Sequence, residues 1–378
     1  MLFPILVFSQ QGVWYYPTNT HPYPQDESTA MTFGIRSAND RGCLYVLFRH
    51  EENTVFRAYN QANNEWQTLE PLSDIPEWGS AICAWHNQNS IPQEYKVFAI
   101  PYDISGDHQR TGHIYEYDIP TNTWTILDTV PHNRNKGHGL SLKTGNTDGT
   151  YINLYYLGGW ASDAERNDGF WVYRRLLKPA GPRGNPVKSH WEKLVDFVHG
   201  YGADLAFWPD AYNGNQIFAL RGGESRLFYV YDIARNNWTQ KHVVPGYVRS
   251  GGSLAGDGIL GSEKVPSNSD RLYAFEGVSS NNWPRNDFHQ YHPSADLWND
   301  DFDPPDPNYG VGRGADLAFG YWDSPGDQKE EFGQLLEHII SRSDFMNHQL
   351  LNLKVVKLRL PNFYRNRFEL PRNPVTKY

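Results

Sequence analysis

Pairs of aromatic residues recur across short polar turns, and their spacing constrains this chain more than any other feature. Tyr59 and Trp66, Tyr117 and Trp124, Tyr231 and Trp238, and Tyr291 and Trp298 each stand seven residues apart. The stretch Tyr117-Asp118-Ile119-Pro120-Thr121-Asn122-Thr123-Trp124 shows why. Proline presets φ, while Asp and Asn bond their own backbone, so the centre reads as a tight turn. The aromatic and β-branched flanks suit a pleated, half-buried strand. Tyr173 and Trp191 read as a further copy with a long turn. Self-similarity of this kind fixes an architecture before any single motif does.

Two more strand patterns precede each hairpin. Gly202-Ala-Asp-Leu-Ala-Phe207 and Gly314-Ala-Asp-Leu-Ala-Phe319 are identical hexapeptides, with looser relatives at 28–33, 79–84, 137–142 and 251–256. Small residues of this sort suit a strand in a crowded centre, where backbones approach closely. Apolar runs such as Cys43–Phe48, Tyr95–Ile100 and Ile152–Leu157 supply the strand between. Each unit is thus four strands, recurring at roughly 45–65 residues, which is the signature of propeller blades.

Gly158-Gly159 with Tyr173 and Trp191, and Gly222-Gly223 with Tyr231 and Trp238, carry a closer likeness. On these residues the chain resembles the kelch-repeat β-propellers. Blades at 28–78 and 79–134 depart from that pattern, having Phe48-Arg49 and Ile100-Pro101 where the glycine pair belongs. The resemblance implies an all-β, six-bladed kelch-type propeller over 10–320. Complete repeats fall at 28–78, 79–134, 135–200, 201–247 and 248–307. A sixth blade is expected from both ends of the chain, strand 314–319 joining an N-terminal hairpin between Tyr16 and Tyr23. Closure by the two termini would leave no open edge between first and last blades.

Residues 321–378 are expected to complete or extend that blade. Phe332, Leu335, Leu336, Ile339 and Ile340 fall on a helical stripe, predicting a short helix. Leu353–Leu360 reads as a strand, followed by a basic tail. Residues 340–378 carry eight Lys or Arg against two acids, about +6, while the whole chain is −9. That overall charge argues against a nucleic-acid partner. Cys43 and Cys83 lie in apolar runs and read as small buried hydrophobes. No apolar run reaches the length of about 18 residues that a membrane span needs. Residues 1–9 read either as the remnant of a secretory signal or as a first strand. An extracellular or cell-surface protein is therefore expected, with the cytoplasm as the alternative.

In a propeller, the loops leading from fourth strands to first strands and from second to third share one face. The resemblance implies that ligands meet this face or the channel mouth. It gathers His138, Tyr201, Arg249 and Arg313 from the first set of loops, and Trp160, Glu224, Arg226, Trp283 and Arg285 from the second. Arginine forks and tryptophan faces suit a sugar or an acidic peptide. Asp204 and Asp316 occupy one equivalent place in two first strands. They are either channel carboxylates that hold water, a cation or a ligand, or, as the plainer reading has it, acceptors for amides of neighbouring blades.

Some kelch-like propellers are enzymes, such as galactose oxidase with its copper and cross-linked Tyr–Cys. No cofactor or metal is expected here, because no His pair stands at a ligand spacing and both cysteines lie within strands. No recognisable hydrolase or phosphate-binding motif is present either. The expected function is non-catalytic binding of a protein or glycan through the loop face, with self-association into an oligomer or filament. The alternatives are a carbohydrate-active enzyme with its site at the channel mouth and a structural subunit of a cell-surface assembly.

Overall fold

The computed structural model describes residues 29–36, 42–51, 53–60, 63, 65–74, 80–87, 94–101, 112–131, 141–147, 151–158, 169–177, 188–210, 214–256, 271–278, 280–281, 287–299, 316–322, 334–342 and 351–358. They form a β-propeller. Blade 1 is β1 (Ala30–Gly34), β2 (Cys43–His50), β3 (Asn53–Asn60) and β4 (Glu65–Thr68). Blade 2 is β5 (Ala81–Asn87), β6 (Glu94–Ile100), β7 (His113–Asp118) and β8 (Thr123–Thr129). Blade 3 is β9 (Ser141–Thr147), β10 (Tyr151–Leu157), β11 (Phe170–Leu176) and β12 (His190–Lys193). Blade 4 is β13 (Asp204–Asp210), β14 (Gly214–Leu220), β15 (Phe228–Asp232) and β16 (Asn237–Gln240). Blade 5 is β17 (Ser253–Gly256), β18 (Leu272–Phe275), β19 (Phe288–His292) and β20 (Leu297–Asn299). Every blade is an antiparallel meander in chain order.

The blade count corrects the expectation. Among the described residues there are five four-stranded blades rather than six. A three-stranded sheet follows them, made of β21 (Leu317–Trp322), β22 (Gln334–Arg342) and β23 (Leu351–Leu358). The N-terminal hairpin between Tyr16 and Tyr23, which was expected to complete a sixth blade, lies outside the described residues, as do residues 1–9. The helix expected around 332–340 is also overturned, for its core forms β22, paired with β21 and β23 in continuous register. A short apolar run fits either period, and here ladders on both sides decide for the strand. Among the described residues there is no helix, hence none long and apolar enough to cross a membrane.

The recurring Tyr and Trp are cross-strand partners. Tyr59 faces Trp66, Tyr117 faces Trp124, Tyr173 faces Trp191, Tyr231 faces Trp238 and Tyr291 faces Trp298. Their ring centroids stand 4.9–5.1 Å apart at tilts of 45–48°. Such pairs add about 0.5–1.5 kcal/mol beyond the area they bury.

The turn between them latches blade to blade. Asn122, Asn236 and Asp296 sit at positive φ, 55°, 50° and 51°, where Asn and Asp are tolerated best. Each accepts the hydroxyl of its own Tyr five residues earlier, at 2.6, 2.8 and 2.6 Å. The same oxygens accept the amides of Glu70, Val195 and His242, which follow the outer strand of the preceding blade, at 2.9, 3.1 and 2.9 Å. One local sequence thus closes a hairpin and fastens it to its neighbour.

Candidate functional site

The inner strands run β1, β5, β9, β13, β17, β21 and back to β1 around a centre. A belt of side-chain bonds ties every junction. The Ala84 amide donates to Thr32 Oγ1 at 2.9 Å, and Thr144 Oγ1 donates to the Ala84 carbonyl at 3.0 Å. Ser141 Oγ donates to Asp204 Oδ1 at 2.6 Å and accepts the Leu205 amide at 3.2 Å. Asp204 Oδ2 takes the Leu254 amide at 2.7 Å. Ser253 Oγ lies 2.9 Å from Asp204 Oδ2 and 3.0 Å from Asp316 Oδ1, with one hydrogen to share, and accepts the Leu317 amide at 3.0 Å. Finally, Met31 donates its amide to Asp316 Oδ2 at 2.7 Å. That last bond joins β1 to β21 across 285 residues of sequence.

Asp204 and Asp316 therefore act as the plainer reading had them, as acceptors for neighbouring strands. The Lys143 ammonium on β9 balances them, 3.6 Å from Asp204 Oδ1. Burial by itself would lower the Lys143 pKa, but Asp204 and Asp316 hold it above the ordinary lysine value. Burial pushes Asp316 up to about 6, with Lys143 pulling against it and the like charge of Asp204 adding to it. Nearby, burial pushes the Cys83 thiol well up, which makes it an inert buried residue, as expected of both cysteines.

A carboxyl raised in the folded state binds its proton more tightly there than in the unfolded chain. Its stabilising contribution is complete below the unfolded value of about 3.9 and is lost as pH rises through about 6. Wild-type protein is therefore expected to gain about 2 kcal/mol on Asp316→Asn between pH 6 and pH 4. Paired urea titrations at the two pH values check this, and a gain in the opposite direction would show that the carboxyl is not raised.

A second cluster lies on the loop face, where connections of blades 3, 4 and 5 run side by side. Gly200 and Gly223 donate amides to the carbonyls of Arg221 and Tyr201, at 2.9 and 2.8 Å. Glu224 and Ser225 exchange bonds with Val248, both at 3.0 Å. Arg249 donates to the Glu276 carbonyl at 2.8 Å, and Val278 to that of Ser250 at 3.0 Å. The result is a floor of zipped backbone. Gly222 shows why the glycine pair stands there, for at φ 65° a Cβ would lie 2.5 Å from the Ala203 nitrogen and the Tyr201 oxygen.

This floor brings together Tyr201, Glu224, Arg226 and Arg249 of the expected binding residues. Arg249 is nearly buried, its side chain 11% exposed, and its Nε stands 3.6 Å from Glu224 Oε1. The guanidinium covers the ring of Tyr247, 5.6 Å from its centroid, while Tyr247 itself remains 51% exposed. Glu224 holds a left-handed backbone at φ 57°. Arg226 Nε donates to the Val244 carbonyl at 2.7 Å, and Arg221 Nε to that of Val198 at 3.3 Å. Beneath the floor Glu276, 2% exposed, pairs with His289 Nε2 at 2.8 Å. The expected residues His138, Trp160, Trp283, Arg285 and Arg313 lie outside the described residues. Among those described, no group of three or more His, Cys, Asp or Glu is placed to hold a metal ion.

Sequence reasoning missed Tyr247, the Glu276–His289 pair, Lys143 and the two serines. Ser253 had a visible signal, since it holds the third place of Gly251-Gly-Ser just as Asp204 does in Gly202-Ala-Asp. Tyr247 stands two residues from Arg249 in a loop already marked, but nothing local distinguishes it from a solvated tyrosine.

No family model matches the chain, and no curated protein does. Solved structures do. The α-L-arabinofuranosidase Arb93A of Fusarium graminearum, solved with an iminosugar inhibitor, superposes with a TM-score of 0.53 at 13% identity. The match covers 90% of this chain and 93% of that one. An oligogalacturonate lyase from Vibrio parahaemolyticus matches with a TM-score of 0.41 at 12% identity, covering 85% and 75%. At such identities the likeness to the arabinofuranosidase shows the propeller fold alone.

Proposed function

We propose that this chain binds a carbohydrate on the loop floor shared by blades 3, 4 and 5. The observation that carries the reading is convergence. Tyr201, Glu224, Arg226 and Arg249 come from three different connections, yet share one floor held by main-chain bonds. Planar guanidinium donors, an exposed tyrosine ring and a carboxylate acceptor are the groups that read sugar hydroxyls and stack on a pyranose face. Rigid placement limits the ordering cost of binding. The arabinofuranosidase shares the fold, which makes sugars the first ligand class to try. A glycan array with the full chain tests this: captured glycans lost on Tyr247→Ala support the floor, and an array without a hit removes the reading.

A catalytic form of the same proposal has its own motive. The Glu224 carboxylate stands 3.6 Å from Arg249 on the floor, within reach of a bound glycan. Cleavage of a captured glycan that disappears in Glu224→Gln would make the floor an active site. Binding without cleavage leaves the non-catalytic form. Within this proposal the setting is extracellular or the cell surface, where glycans are displayed.

A further inference from the structure

We propose that Arg249 reads a carboxylate, so that the ligand of this floor is an acidic sugar whose ring stacks on Tyr247. The inference deepens the carbohydrate reading and rests on it. It starts from an imbalance at Arg249. The Nε–H is buried and has no hydrogen-bond acceptor among the described residues. The Glu224 carboxylate, at 3.6 Å, is beyond hydrogen-bond reach and is itself 53% exposed. Buried donors are normally satisfied, and each exception asks for a partner. A guanidinium this far from water is complemented best by a planar anion that takes two N–H groups at once.

The ligand carboxylate would meet the fork side-on, taking the unmet Nε–H together with one Nη, where the exposed Glu224 stands 3.6 Å away, too far to bond it. Tyr247 lies under the guanidinium with half its surface open. A pyranose that carries a carboxylate on its ring would set its apolar face on such a platform and its acid on the fork. An acidic peptide needs the fork but not the platform, so the sugar is favoured. The surroundings accept the added charge, since Arg221, Arg226 and Arg249 share the floor with one exposed carboxylate, Glu224. Glu224 is then free to take a sugar hydroxyl.

The test is calorimetric titration of the full chain with three probes: oligouronate trimers, their methyl esters and polyglutamate. The free acid is expected to bind at least tenfold more tightly than the ester. Arg249→Lys keeps the charge without the fork and should erase most of that ratio, with Arg249→Gln as a second variant and melting curves to confirm folding. Tyr247→Ala should weaken acid and ester alike, about tenfold. If acid and ester bind equally, or the ratio survives both Arg249 variants, the carboxylate inference is wrong while the carbohydrate reading stands. If neither sugar binds and the glycan array is also blank, that reading falls too. If polyglutamate matches the uronates and Tyr247→Ala leaves binding unchanged, the floor takes an acidic peptide instead.

Discussion

Asp204→Ala is expected to lower the stability of the propeller by about 4 kcal/mol or more. Its two oxygens accept from Ser141, Leu205, Ser253 and Leu254, at 2.6, 2.8, 2.9 and 2.7 Å. Hydrogen bonds to a charged acceptor are worth about 1.5–3 kcal/mol each, and a buried donor left without one costs a similar amount. Removing Asp204 also takes from Lys143 the carboxylate 3.6 Å away, leaving Asp316 as its counter-charge. Ser141→Ala deletes one hydroxyl from the same belt and should cost about 1 kcal/mol. Equilibrium urea unfolding of the three proteins reads both values. An Asp204→Ala midpoint no lower than that of Ser141→Ala would mean that the belt does not hold the inner strands together.

The belt also shows what kind of information a sequence carries in the open. The Tyr…Trp hairpins were legible because both partners, the turn chemistry and the strand period lie within eight residues. Asp204 and Asp316 stood out because a hexapeptide repeats. Ser141, Ser253 and Lys143 did not, because their partners lie 49 to 64 residues away and only ring closure brings them together. β22 was misread for a related reason: its apolar spacing fits a helix, and the ladders that settle it come from strands on either side. The blade count failed at the same end of the chain, where the C-terminal strands make a three-stranded sheet. On the loop face, arginines and Glu224 were marked by type and position. The burial of Arg249, and the open ring of Tyr247 beneath it, are properties of packed loops that no local pattern announces.

Glu116→Ala is expected to be as damaging, by about 3–5 kcal/mol, through an ion network between blades 2 and 3. Glu116 on β7 meets Arg175 on β11 with two parallel bonds, Nε to Oε2 at 2.8 Å and Nη2 to Oε1 at 2.9 Å. Lys96 on β6 approaches the same carboxylate at 3.1 Å and donates to Asp118 at 2.7 Å. Burial would lower the Lys96 pKa, yet Asp118 and Glu116 hold it above its ordinary value. The Glu116, Arg175 and Lys96 side chains are 9–14% exposed, so these charges are largely out of water and their pairing is not screened as a surface bridge would be. Deleting the glutamate removes the bidentate partner of Arg175, leaving it only Glu94 at 3.9 Å, and one of the two partners of Lys96, which keeps Asp118. The cost therefore comes from the charges left behind more than from the bonds lost. It follows that Glu116→Met combined with Arg175→Met should be less destabilising than Glu116→Ala alone, since the pair is replaced by packed apolar volume and Lys96 keeps Asp118. Urea unfolding of the single and double variants distinguishes the cases. A double variant as unstable as the sum of its singles would show that Glu116 and Arg175 are not coupled, and one no more stable than Glu116→Ala would show that the charges left behind do not set the cost.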